Sequence, residues 1–270
     1  MSSVVWITGC ASGLGRYLVE AFYLRGYRVV ATDINYDALI THAQQELWPE
    51  ESVFCAALDV TSAEAWTALL AQVEERWAQV DYLLNVAGYL KPGYAHEQTT
   101  VEVDRHLDIN VKGLIFGSQR IGQYMVKRGS GHIINIASTA ALAPVPGLSL
   151  YSASKYAVRA FSLAIRHELK PHGVKVSVVC PDAIQTPMLS LQESYDEAAM
   201  TFSGNKVLRV EDIELLLFDK VIPKAPAEVM IPFSRGVFAK LGNLFPGLTD
   251  RLVVVLQNKG RKAQQKYHKS

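Results

Sequence analysis

Short runs rich in β-branched residues alternate with amphipathic stretches along most of this chain, and that alternation is the pattern of βαβ crossovers in a parallel sheet. Strands are expected near Val4 to Thr8, Arg28 to Thr32, Val53 to Leu58, Tyr82 to Asn85, His132 to Ala137 and Val174 to Cys180, with a seventh near Glu228 to Ile231. Helices are expected from about Gly13, Tyr36, Ala63, Val101, Val111 and Tyr151. Gly26 closes the first of them, and Pro171 with Gly173 closes the one that carries Tyr151. The implied architecture is α/β: one doubly wound parallel sheet of about seven strands. At 270 residues, one continuous core is expected.

Charge narrows the function classes. With 27 basic against 26 acidic residues, the net charge of +1 gives no global electrostatic reason to bind nucleic acid. The three cysteines, Cys10, Cys55 and Cys180, fit neither a disulfide framework nor paired metal-ligand spacing, so reduced thiols and no metal are expected. Such thiols suit a cytoplasmic protein, and Met1-Ser2-Ser3 runs directly into Val4-Val5-Trp6-Ile7 without a basic region or a cleavage site, which reads as a first strand.

Thr8-Gly9-Cys10-Ala11-Ser12-Gly13-Leu14-Gly15 follows the first strand and opens a helix. Glycines there let the backbone turn beside a pyrophosphate, which the helix N-terminus then faces. The spacing is Gly-x-x-x-Gly-x-Gly, and a glycine-rich turn alone is only moderately specific. Asp33, at the end of the second strand, stands where an acidic side chain can accept hydrogen bonds from an adenosine ribose and repel a 2′-phosphate. Cys10 to Leu14 contain no Arg or Lys to pair with such a phosphate, so the expected cofactor is NAD(H).

Tyr151 and Lys155 lie four apart on a helix, hence on one face. A phenol titrates near 10, so proton exchange at neutral pH asks for a shift of ~2 to 3 units, about 3 to 4 kcal/mol of anion stabilisation, which a fixed ammonium can help supply. By itself such a pair is common on surfaces.

It is not by itself here. The Thr8 to Gly15 loop, Asp59-Val60, Asn85-Val86-Ala87-Gly88, Asn110, Ser138 and the Tyr151/Lys155 pair together resemble the short-chain dehydrogenase/reductase family, in its single-domain subgroup of about 250 residues. The resemblance covers about residues 4 to 190 and implies a Rossmann fold and oxidoreduction between an alcohol and a ketone or aldehyde. On the matching positions it implies that Tyr151 moves the proton, Ser138 binds the reacting oxygen and Lys155 holds the nicotinamide ribose and lowers the Tyr151 pKa. Asn110 would kink its helix and anchor a relay water. The cofactor would meet Gly9, Ala11, Ser12, Gly13, Leu14 and Gly15, Asp33, Asp59 and Val60 beside the adenine, Asn85, Ala87 and Gly88 along the cleft, and Pro181, Ile184 and Thr186 after the sixth strand. A homodimer or homotetramer is expected on the same ground.

Departures from the family pattern mark where specificity should be sought. Val86 replaces an asparagine, and Asp182 stands where glycine usually follows Pro181. Asp182 either stabilises an oxidised, cationic ring or points to solvent. The lid is expected between Pro187 and about Val221, with Ala140 to Leu150 and Tyr89 to Tyr94 as further walls. Ala141, Leu142, Val145, Leu148, Met188 and Leu189 lean towards an apolar lipid, steroid or long-chain alcohol, against packing of the lid on itself. A sugar or small polar alcohol is the alternative substrate, and a non-catalytic dinucleotide-binding regulator the alternative of another class. Residues 1–234 are expected to form the catalytic domain and 235–270 an extension. Its apolar Val237 to Leu241 and Leu252 to Leu256, followed by Lys259, Arg261, Lys262, Lys266 and Lys269, suit an anionic membrane surface, a subunit interface or a solvated tail.

Overall fold

The computed structural model describes residues 2–267. Seven strands, β1 (Val4–Thr8), β2 (Arg28–Asp33), β3 (Val53–Ala57), β4 (Tyr82–Asn85), β5 (Gly131–Ile136), β6 (Val174–Pro181) and β7 (Glu228–Ile231), form one parallel sheet in the order β3-β2-β1-β4-β5-β6-β7. The order reverses beside β1, where a doubly wound sheet opens its ligand crevice at the strands' carboxyl ends.

The central strand shows why the apolar runs are unbroken. All five residues of β1 are buried, because helices cover both faces. Val5 and Ile7 face α1 (Gly13–Tyr23) and α2 (Tyr36–Gln45), packing with Leu18, Phe22 and Leu39. Val4 and Trp6 face the opposite layer of α3 (Ala63–Trp77), α5 (Leu114–Arg128) and α6 (Ser149–Leu169), where Trp6 and Trp66 lie 5.2 Å apart between ring centroids. Helix ends follow local chemistry: Ser62 caps α3 by accepting from the Ala65 amide at 3.1 Å, and Gly129, at φ +71°, closes α5.

Between α4 (Thr100–Leu107) and α5 the helix widens into a π-turn over Asp108–Gly113, so α5 proper begins at Leu114, not near Val111 as the sequence pattern suggests. Beneath the crevice runs a polar layer. Asn85 Nδ2 donates to Asn135 Oδ1 at 2.8 Å and to Ser118 Oγ at 3.1 Å, and Asn135 Nδ2 donates to Ser162 Oγ at 2.8 Å.

After β6 the chain forms α7 (Pro187–Glu193), a 3₁₀ segment (Asp196–Ser203), α8 (Val210–Leu216), a second π-turn (Leu217–Val221) and α9 (Ile222–Lys224) before β7. The extension folds as α10 (Phe233–Leu244) and α11 (Pro246–Tyr267). Helix α11 lies against the 3₁₀ segment, with Gly260 and Gln264 buried there while Val254 and Val255 are exposed. Of the basic run, Lys269 and the side chain of Lys266 lie outside the described residues. Among the described residues, no helix is long and apolar enough to cross a membrane, and no cluster of His, Cys, Asp or Glu could hold a metal ion.

Candidate active site

A cavity of about 440 Å³ opens at the carboxyl end of the sheet, running from Asp33 and Ile34 past the glycine loop to Ser138 and Tyr151 and on beneath α7. The loop is shaped for close approach. Gly9 and Gly13 hold φ of +76° and +54°, and a Cβ on Gly15 would stand 2.1 Å from the Gly9 carbonyl oxygen. Among the described residues no side chain caps the first turn of α1 and none in that turn is acidic, so its amides suit a phosphate. The cradle fits a dinucleotide.

Tyr151 and Lys155 occupy the first two turns of α6, and both line the cavity with Ser138 from the end of β5. The Lys155 Nζ sits 5.6 Å from the centre of the Tyr151 ring and donates to the Ile136 carbonyl at 3.0 Å. Burial pushes its ammonium down to about 8. Burial likewise pushes the Tyr151 phenol up to about 12, with the hydrogen bond to Ser138 acting in the opposite direction. Ser138 Oγ also accepts from the Ala140 amide at 3.1 Å, which fixes its rotamer. The protein alone therefore does not supply the lowered phenol that the pair's chemistry requires.

Most of the sequence-predicted cofactor positions meet at this cavity: Gly9, Ser12, Gly13, Leu14, Gly15, Asp33, Asp59, Val60, Ala87, Gly88, Pro181, Ile184 and Thr186 all line it. Ala11, Asn85 and Asn110 stand behind the wall. Asn85 belongs to the polar layer under the crevice. Asn110, inside the π-turn, accepts from the Tyr89 amide at 2.6 Å and donates to the Tyr89 carbonyl at 2.8 Å and to Ser154 Oγ at 2.9 Å. It ties the Tyr89 wall to α6. Tyr89 is held from its other end by the buried Glu102, which also pairs with Lys91 at 3.0 Å.

Asp182 does not point to solvent. Its side chain is only 9% exposed and pairs with Arg235 Nε at 2.5 Å, while accepting from Thr139 Oγ1 at 3.3 Å. Burial raises its pKa, and the Arg235 guanidinium opposes that rise. Arg235, Gln192 and Thr201 also line the cavity, and sequence reasoning singled out none of them. Only the unexpected acid at Asp182, which needs a buried cation, hinted at such a partner.

The chain is 34% identical over 218 residues to the NADP-dependent 3-hydroxy acid dehydrogenase YdfG of Salmonella typhi, covering 78% of this chain and 85% of that protein. Among solved structures it resembles the closed form of a serine dehydrogenase complexed with NADP+, at 29% identity and a TM-score of 0.74 over 84% of this chain and 92% of that one. A short chain dehydrogenase/reductase from Burkholderia phymatum in complex with NAD matches 92% of this chain and 95% of its own at a TM-score of 0.78, but at 24% identity it speaks for the fold alone.

The NAD(H) expectation drawn from Asp33 is corrected by these relatives, since YdfG is NADP-dependent and the serine dehydrogenase holds NADP+. Asp33 has a further role that its position in the sequence does not reveal: Oδ2 accepts from the Ala11 amide and Oδ1 from the Asn35 amide, each at 2.9 Å, so the carboxylate staples the glycine loop to the end of β2. The short chain dehydrogenase family profile matches residues 3–196, so the chain belongs to that family and is an NAD(P)(H)-dependent oxidoreductase acting on CH–OH and C=O groups.

Proposed function

We propose that the enzyme interconverts a small polar alcohol, of the hydroxy-acid kind, and its carbonyl counterpart with NADP(H). The observation that carries this reading is that the cavity lined by Tyr151 and Ser138 is also lined by Arg235, Gln192 and Thr201. Arg235 is held by Asp182, and Gln192 by Thr201 and the Met188 carbonyl, so these polar groups are fixed in place and their remaining hydrogen-bonding capacity suits a polar substrate. Of the apolar residues that suggested a lipid, Ala141 and Leu142 pack with Val158 and Cys180, while Val145, Leu148, Met188 and Leu189 line the cavity beside these polar groups. The names of YdfG and the serine dehydrogenase point the same way.

In this reading Ser138 and Tyr151 hold the substrate oxygen, and the Tyr151 hydroxyl gives its proton to the forming alkoxide in reduction or takes one from the alcohol in oxidation. The bound dinucleotide supplies the hydride and, when oxidised, a positive charge. Lys155, held by the Ile136 carbonyl through one proton, keeps two others for the ribose and for stabilising the phenolate. Asn110 acts by positioning Tyr89 and α6. The glycine loop and the first turn of α1 bind the pyrophosphate, and Asp59 to Val60 flank the adenine. Residues 1–234 carry the cofactor and the chemistry, while Arg235, the first residue of the extension, completes the substrate side.

Initial rates with NADPH and NADH against hydroxy acids, serine, polyols, steroids and long-chain alcohols test this. The expected result is the highest kcat/KM with a hydroxy acid and the NADP couple. A preference of about tenfold or more for an apolar alcohol, or for the NAD couple, overturns the corresponding half of the proposal.

A further inference from the structure

We infer that α11 is the buttress that sets the substrate-covering segment over the cavity, with Gly260 and Gln264 as its positioning residues. The inference rests on the reading that substrate lies beneath α7 and the 3₁₀ segment. Helix α7 is seven residues long, and like any helix it ends in carbonyls that its own backbone cannot satisfy. Gln264 reaches the end of this helix and the turn after it from a distant part of the chain: the two protons of its Nε2 are shared among the carbonyls of Gln192 at 3.0 Å, Glu193 at 3.1 Å and Tyr195 at 2.9 Å, of which Gln192 and Tyr195 also accept backbone amides. The side chain is 4% exposed, so these bonds form away from competing water.

Gly260 supplies a second, independent contact. Glycine inside a helix costs about 1 kcal/mol relative to alanine, so its place there calls for a compensating gain. A Cβ at Gly260 would stand 1.9 Å from the Ala199 carbonyl oxygen, and its absence is what lets α11 close on the 3₁₀ segment. At the segment's end, Lys259 Nζ donates to Asn205 Oδ1 at 2.6 Å.

These attachments bracket the residues that face the cavity. The Gln192 side chain, whose own backbone carbonyl is held by Gln264, accepts from Thr201 Oγ1 at 2.8 Å and donates to the Met188 carbonyl at 3.0 Å. Met200 and Thr201, which also line the cavity, follow Ala199 directly. Loosening α11 therefore frees the polar wall that meets substrate and leaves the glycine loop, Ser138, Tyr151 and Lys155 untouched. The effect belongs in substrate affinity, not in cofactor affinity.

Two variants of the full chain test this. Gln264→Met keeps the length and apolar bulk and removes the donors, while Gly260→Ala inserts one methyl group against the segment. Each is expected to raise KM for the best substrate about tenfold with kcat within about threefold and dinucleotide Kd within about twofold, and to speed limited proteolysis within residues 187–206 about tenfold. Wild-type KM and wild-type cleavage in Gln264→Met, whether or not Gly260→Ala folds, overturn the inference. Failure of the underlying functional reading looks different: the unaltered enzyme then turns over none of the polar alcohols, while the proteolysis comparison still decides whether α11 holds the segment.

Discussion

Arg235 Nε stands 2.5 Å from Asp182 Oδ2, so the first helix after the last strand is bonded to the chain leaving β6, at the side of the cavity. A carboxylate this buried depends on its partner. Arg235→Leu leaves Asp182 with only neutral donors, and we expect a loss of about 2 kcal/mol, below the ~3 to 5 of a fully buried pair because the arginine is partly exposed. Thermal unfolding should show Tm lower by about 4 to 8 °C. Adding Asp182→Asn removes the orphaned charge and should restore most of the loss. An unchanged Tm in Arg235→Leu would mean the pair contributes nothing to stability.

Acid should weaken the fold through His132. Burial in β5 pushes its imidazole down to about 4, with Lys175 and Arg166 acting in the same direction, and its Nε2 lies 2.9 Å from Ser177 Oγ. Because the folded value lies below the unfolded one near 6.5, the stability it contributes is complete above pH 6.5 and is lost as pH falls towards 4, amounting to about 3 kcal/mol. Chemical denaturation from pH 7 to pH 4 measures the slope. The His132→Asn variant should be flatter over this window; equal slopes would remove His132 as the cause.

Tyr151→Phe keeps the ring and removes the proton. Turnover should fall by about 10² to 10⁴, while fluorescence titration with NADPH gives a Kd within about twofold of wild type. Loss of both together would make Tyr151 a binding residue and not an acid-base one.

The Gly15 contact predicts a selective loss of cofactor. In Gly15→Ala the new methyl meets backbone, not a side chain that can move, so nucleotide Kd should rise about tenfold or more, with ~1 to 3 kcal/mol of stability lost. Gly26 is the control: its φ of +79° carries a strain cost of about 1 kcal/mol on substitution, yet nothing lies within 4 Å, so Gly26→Ala should bind NADPH normally.

The sheet was legible because strands buried on both faces read as continuous apolar runs; β1, β4 and β7 end at the residues their runs suggest. The glycine loop, Ser138 and the Tyr151/Lys155 pair were legible because each sits at the end of a strand or within two turns of one helix. Side-chain direction was not. Asn85 and Asn110 carry the right residue types at the right places, but tertiary hydrogen bonds turn them away from the cavity wall. Arg235, Gln192 and Thr201 lie where local pattern carries no chemistry, and they line one cavity only in the folded chain. Asp33 lines the cavity, but its second role was not legible: a carboxylate near a ribose site and a carboxylate stapling a turn occupy the same position in the sequence. The phenol of Tyr151 moves up where catalysis needs it to move down, because desolvation by its neighbours is invisible until they are assembled.

The amide layer formed by Asn85, Asn135, Ser118 and Ser162 has a consequence for how the chain finds its alignment. Asn85 sits directly opposite Asn135 in the β4–β5 pairing, and each amide finds its partners on one face only. Sliding either strand by a single residue would turn its asparagine into the opposite, apolar layer, where an unpaired amide costs about 1 to 3 kcal/mol, and would strand the hydroxyls left behind. Apolar side chains alone would tolerate such a slip more readily, since Leu83 and Leu84, or Ile133 and Ile134, are interchangeable in kind. The two asparagines thus mark the register in the middle of the sheet, penalising any alignment that parts them.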